Sequence, residues 1–187
     1  MQGVAVHRRR FSADDVMRML EAGVLRESDP VELIDGELIE MSPQGPLHRS
    51  RTVRVHQALE AAFGEGFHVQ DHSPIAAGPD SLPEPDVAVI RGDVDAFADR
   101  HPAGPDVAMV VEISVTTQAY DRAKASLYAR AGVPTYWNLD LVGRRLFVYG
   151  DLRSDLGEYS RVTTLVAGDT VTAGSANIAV SELLPRV

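Results

Sequence analysis

Apolar and polar positions change period several times along the chain, and each change marks an element. From Ser12 to Leu20 the apolar residues recur at helical spacing, and Ser12 or Asp14 is placed to cap the first turn. Gly23 stops this helix. Val31 to Met41 holds two apolar runs separated by Asp35-Gly36, a pair that tolerates positive φ, so a hairpin is expected there. Pro43 and Pro46 break the chain. Helical spacing returns from about Leu47 to Phe63, with Val55, Leu59 and Ala62 on the inward stripe and His48 at its start. Gly64 and Gly66 end it.

Short strands follow at Phe67 to Gln70 and at Asp86 to Ile90, with a polar, proline-rich loop between them. Val107 to Ile113 is almost continuously apolar, as a central buried strand should be. Gln118 to Ala131 reads as a helix ended by Gly132, and Pro134 leads into a strand from Thr135 to Leu139. Strand-like runs recur at Arg145 to Tyr149, Tyr159 to Val166 and Thr170 to Thr172, and the chain closes on Ala179 to Leu184. A helix between two core strands predicts a parallel crossover. The expected class is α/β, in the mixed α+β sense: a mixed central sheet flanked by helices, with an N-terminal hairpin and C-terminal strand additions. Repeats and linkers are absent, and 187 residues suffice for one sizeable core. A single domain over residues 1–187 is expected, with residues 1–10 a candidate for disorder.

Composition narrows the chemistry. The sequence has no cysteine, which excludes disulfides, thiolate zinc sites and cysteine nucleophiles. Any metal must be held by oxygen or imidazole donors, which favours Mg2+ or Mn2+. The N-terminal Arg8 to Arg10 cluster is not followed by an apolar run, and no later stretch has the apolar length of a membrane span. A cytoplasmic protein with no membrane partner is expected. The net charge of -9 argues against nucleic-acid binding by the whole surface. A local strip can still serve, and Arg49, Arg51 and Arg54 are the candidate nucleic-acid-binding residues. Arg8 to Arg10 read as solvated charge.

Three charged residues stand where charge is costly. Glu112 lies inside the most apolar strand, where a carboxylate must be paired, hydrogen-bonded or bound to metal. A strand-end glutamate open to solvent is the bland alternative. Asp86 follows Pro85 at the start of another strand and shares a face with Ala88 and Ile90, as Glu112 does with Val110 and Ser114. If these strands are neighbours, the carboxylates converge into a site for a hard cation. Lys124 falls on the stripe of Tyr120, Leu127, Tyr128 and Ala131, the inward face of its helix. Its alternative is a stem that snorkels to the surface. His48 starts an inward stripe as well, and a histidine there is equally accounted for by backbone partners. Tyr136 and Trp137 read as core. His68 and His72 lie in a strand and loop, not on a helix, so no zinc pair is expected from them.

Taken in order, these motifs resemble the PD-(D/E)xK superfamily of restriction-endonuclease-like proteins, and within it the bacterial Uma family of endonucleases. The matching residues are Glu32-Leu33-Ile34-Asp35-Gly36-Glu37-Leu38, His48 after Met41-Ser42-Pro43, Pro85-Asp86-Val87-Ala88-Val89, and Val111-Glu112-Ile113-Ser114. Tyr120-Asp121-Arg122, Lys124, the run from Leu127 to Val133 and Tyr136-Trp137 complete the set. The resemblance runs from Phe11 to near Leu184. It implies that Asp86, Glu112 and the Ile113 carbonyl hold Mg2+ or Mn2+. It also implies that Lys124 replaces the lysine that relatives carry at the position of Ser114. His48 would contact the phosphate or a metal-bound water, with Glu32 and Ser114 in supporting roles. The implied activity is metal-assisted hydrolysis of phosphodiester bonds in DNA, and a homodimer is compatible with it. Two other readings stay open on the residues: a catalytically inactive nuclease-fold module for binding or assembly, and a phosphodiesterase acting on a smaller substrate.

Overall fold

The computed structural model describes residues 8–115 and 118–186, with backbone alone at positions 118, 119 and 121–123. Most of the candidate disordered arm, residues 1–7, lies outside the described residues, as do Thr116, Thr117 and the side chains of Asp121 and Arg122. Arg8, Arg9 and Arg10 are exposed.

Ser12 caps helix α1 (Ala13–Glu21) through a reciprocal box. Its hydroxyl accepts the Asp15 N–H at 3.1 Å, and the Asp15 carboxylate accepts the Ser12 N–H at 3.0 Å. Strands β1 (Val31–Ile34) and β2 (Glu37–Glu40) form the expected hairpin, turning through Asp35 and Gly36 at φ 47° and 80°. Two successive positive φ values are what a tight twisted hairpin requires. Helix α2 (Pro46–Phe63) buries His48, Thr52, Val55, Leu59 and Ala62, the predicted stripe with one addition.

Six strands make the main sheet, ordered as in the chain: β3 (Phe67–Gln70), β4 (Val87–Arg91), β5 (Val107–Ser114), β6 (Tyr136–Asp140), β7 (Arg145–Arg153) and β8 (Glu158–Val166). All neighbours are antiparallel except β5 and β6, which are joined by helix α3 (Gln118–Arg130) and run parallel. The predicted crossover is therefore present. The C-terminal strands add to the core in two ways. Strands β7 and β8 extend the main sheet, whereas β9 (Thr170–Ala173) and β10 (Ala176–Ala179) pair only with each other and lead into the short α4 (Val180–Leu183). Asp86 stands one residue before β4. Pro85 has no N–H for the ladder, and the Asp86 side chain takes the place of a backbone acceptor for Ile113 N–H, at 2.7 Å.

Alternation along β4, β5 and β6 divides the core into two layers. Val87, Val89, Val111 and Trp137 pack with Val55 and Leu59 of α2. Ala88, Ile90, Val110 and Tyr136 pack with Ala125 and Tyr128 of α3. Every residue of β5 is buried, as its unbroken apolar run requires. Among the described residues, no helix is long and apolar enough to cross a membrane.

The placement of α3 depends on Gly104, in the turn before β5. A Cβ built there would lie 1.5 Å from the carbonyl oxygen of Ala131, just past the end of α3. Backbone cannot yield as a side-chain tip can. Gly104→Ala should therefore cost about 1–3 kcal/mol, the range for overpacking a tight interior contact. Chemical denaturation measures this, and an unchanged midpoint would show that the helix end is not fixed by this contact.

Candidate active site

The face of β5 that carries Glu112 lies under α3, and Lys124 and Tyr128 stand one turn apart on that helix. Lys124 Nζ donates to Glu112 Oε1 at 2.9 Å, and the Tyr128 hydroxyl donates to the same oxygen at 2.5 Å. The ammonium also touches Glu32 of β1, at 3.2 Å from Oε1 and 3.1 Å from Oε2. Glu32, Lys124 and Glu112 are 2%, 4% and 6% exposed, so this cluster is interior, and the snorkelling alternative for Lys124 is excluded. Glu32 Oε1 accepts a further bond from the Glu84 N–H at 3.1 Å. The Tyr120 ring lies 5.4 Å from Nζ, within cation–π range.

Asp86 forms the other half of the site, where β4 begins and β5 ends. Oδ2 accepts Ile113 N–H and lies 3.2 Å from His48 Nε2. Oδ1 accepts from Gln44 Nε2 at 3.1 Å and lies 3.5 Å from His72 Nδ1. His72 holds this position at φ 45°, a conformation that non-glycine residues seldom adopt. Ser114 does not meet Lys124. Its hydroxyl accepts from Asn138 Nδ2 at 2.6 Å across the parallel β5–β6 pair.

Burial and neighbouring charge shift the protonation of these groups. Burial raises the Glu112 carboxyl; Lys124 opposes this, and the charges of Asp86 and Glu32 add to it. Burial alone would lower Lys124, but Glu112 and Glu32 outweigh it and keep the ammonium charged. Burial also works against the His48 imidazolium, and the Asp86 carboxylate more than offsets this, leaving His48 above its ordinary value. Tyr128 is pushed well up by burial and by the Glu112 charge, so its hydroxyl retains the proton it donates.

The structure thus gathers Asp86, Glu112, Lys124, His48 and Glu32 at the ends of β4 and β5. Among the three arginines, Arg49 and Arg54 are exposed on α2, while Arg51 Nη1 donates to the Leu184 carbonyl at 2.9 Å and ties α2 to the C-terminal segment. His68 and His72 are separately engaged, His68 with the Gly92 carbonyl at 2.9 Å. Sequence reasoning missed the roles of Tyr128, Gln44, His72 and Asn138. Tyr128 was detectable, because a polar-tipped residue one turn beyond an inward lysine reaches the same partner. Gln44 and His72 lie in irregular segments where spacing carries no signal. Among the described residues, no group of three or more histidine or acidic side chains is close enough to form a metal cage by itself.

A mixed sheet with its crossover helix between the parallel pair, Asp86 just before β4 and Glu112 near the end of β5, is the architecture that the restriction-endonuclease-like resemblance implied. The chain belongs to the Uma2 family, described as "Putative restriction endonuclease", whose model matches residues 14–179. Among solved structures it is similar to a "putative nuclease belonging to DUF820" from Anabaena variabilis, with a TM-score of 0.73. Identity is 16%, and the likeness covers 92% of this chain and 97% of that one, so what is shared is the fold. Comparison with curated proteins gives no match.

The raised Glu112 carboxyl has a consequence for stability. A group whose folded value exceeds its unfolded one stabilises the fold fully below the unfolded value, and that contribution is lost as pH rises through the folded value. For Glu112 the window runs from 4.5 to about 7. Denaturation of the metal-free protein across this range should show stability falling with pH. Glu112→Gln should shrink the slope, leaving the parts due to His48 and to Glu84, which burial also raises. An equal slope in both proteins would mean that Glu112 does not titrate in this range.

Proposed function

We propose that this chain is a nuclease that uses Mg2+ or Mn2+ to hydrolyse phosphodiester bonds in DNA. The observation that carries this reading is the meeting of Glu32, Glu112 and Lys124, from three separate elements, beside a fourth charged group, Asp86, all of them buried. A charge cluster of this kind is a poor source of stability, so its retention points to chemistry.

The donor set fits a hard cation. Asp86, Glu112 and the Ile113 carbonyl offer oxygen alone, and a magnesium-type ion is commonly held by one or two carboxylates, with water and substrate phosphate completing its shell. A cage of three or more protein side chains is not required. A bound cation would supply Lewis-acid activation of water and neutralise charge on the scissile phosphate. Lys124 and Tyr128 both donate to Oε1 of Glu112, which orients the carboxylate and leaves Oε2 as the atom that would hold a cation. Lys124, held by Glu32 and Glu112, presents a fixed positive charge to the negative charge that develops on the phosphate. His48, with Nε2 at Asp86 and Nδ1 at the Thr52 hydroxyl, holds the Asp86 carboxylate in place and adds positive charge beside the bound phosphate. Ser114 and Asn138 brace the strand end. Arg49 and Arg54, both exposed on α2, would meet the DNA backbone in this reading.

Asp86→Ala should abolish manganese binding in a calorimetric titration while the fold survives, since the change removes one negative charge from an acidic centre. Unchanged affinity would remove Asp86 from the site. Lys124→Met keeps the packing of the stem and removes the ammonium. Assayed with metal present, it should bind DNA with near-normal affinity and cleave plasmid about a hundredfold more slowly. Full activity would reject the role given to Lys124. If the native chain cleaves neither plasmid nor single strands with either metal, the reading as an inactive binding module takes its place.

A further inference from the structure

A groove of ≈ 350 Å³ lies beside the ionic centre, between α1, the β1–β2 hairpin and the chain around residues 72–84. The hairpin is the partition. Glu32 leaves β1 on the side of Lys124, and its neighbour Leu33, paired with Leu38 of β2, lines the groove on the other side. Across from them, Val16 and Leu20 of α1 line the groove and are half-buried, and no residue of this helix is fully buried. Six polar or charged residues interrupt the apolar wall: Arg26, Glu27, Asp29, His101, His72 and Glu84. His72 reaches from the groove to Asp86, at 3.5 Å. Glu84 gives its backbone N–H to Glu32, but among the described residues nothing hydrogen-bonds to its half-buried carboxyl.

We propose that this groove binds one unstacked nucleobase of a single-stranded nucleic acid, with the Glu84 carboxyl accepting a hydrogen bond from an exocyclic amino group. The inference rests on the nuclease reading and names the substrate that reading leaves open. A purely apolar ligand would leave Glu84 facing it without a partner, at a cost in desolvation. A bare anion would gain nothing from the apolar walls, and the like charges of Glu27, Asp29 and Glu84 outnumber the one fixed cation of the lining, Arg26. A nucleobase meets both demands, with an apolar face for Val16, Leu20 and Leu38 and an amino edge for the carboxylate, the pairing by which acidic side chains read cytosine. The groove is too small for a duplex, and a net charge of -9 disfavours one. His72 lines the groove and lies 3.5 Å from Asp86, so a base in the groove would lie next to the proposed cation site.

The test measures binding by fluorescence anisotropy in calcium, with the probes checked intact afterwards. The probes are a short deoxycytidine strand, a deoxythymidine strand, a base-free sugar–phosphate strand and a blunt duplex, all of one length. The deoxycytidine strand should bind about tenfold or more tighter than the base-free strand, the scale of discrimination available from a small apolar pocket. Leu38→Trp and Met17→Trp, which fill the groove from opposite walls, should each reduce binding to the base-free level. Glu84→Gln should erase the preference for cytosine over thymine, because an amide both donates and accepts. Circular dichroism melts identify which groove variants are folded, and Met17, 41% exposed, tolerates the change even if Leu38 does not. Equal binding of the base-free strand, equal binding of the duplex, or native binding by a folded groove-filling variant would overturn the proposal. Manganese-dependent cleavage of both plasmid and the deoxycytidine strand is followed in parallel. Cleavage with base-independent binding rejects the groove and leaves the nuclease. Base-dependent binding without any cleavage rejects the nuclease and leaves the groove.

Discussion

A single ammonium group allows the centre of this protein to be charged. Glu112 sits in a strand whose every residue is buried, and Glu32 is more deeply enclosed still. Two such carboxylates repel each other and have lost their water, so without a counter-charge at least one would be driven to its neutral form. Lys124 touches both. Its own burial is tolerable only because they surround it. The three groups are mutually dependent, and removal of any one leaves its partners more costly to bury.

Much of the surrounding architecture serves to bring that ammonium to its place. It arrives on the crossover helix that the parallel β5–β6 pair demands, and the same pair carries Asn138 beside Ser114. The close approach of Gly104 to the Ala131 carbonyl fixes the far end of that helix. On the other side, the sharp Asp35–Gly36 turn sets the register that aims Glu32 inward. A one-residue slip there would send Leu33 toward Lys124 and Glu32 into the groove. Precision at the centre is thus inherited from a turn and a helix end that hold none of the charges.

The parts of this arrangement that were legible in the sequence are those governed by period. The stripe of α2, the hairpin turn and the continuous apolar run of β5 each announce one element, and Glu112 and Lys124 stood out because they broke such patterns. Glu32 did not, since a polar residue alternating with leucine is ordinary in a hairpin, and only the family resemblance marked it. Its burial arises from contact with a helix far along the chain. Gln44 and His72 were silent because loops have no period against which an exception can be measured. The extension of the sheet by β7 and β8 was equally hidden, because strand-like spacing identifies a strand without naming its neighbour.

The contact between Lys124 and Glu32 spans 92 positions of the chain. Closing so long a loop carries an entropic cost that must be met before the contact returns anything, and non-local pairings of this kind form slowly. The hairpin and the helices can form locally, but the charge cluster cannot exist until the hairpin has docked beside α3. A partly folded or truncated chain therefore holds its acidic groups in water, apart, with their ordinary affinities for protons. The centre is switched on by completion of the tertiary structure, which makes an intact Lys124–Glu32 contact a direct reporter of finished folding.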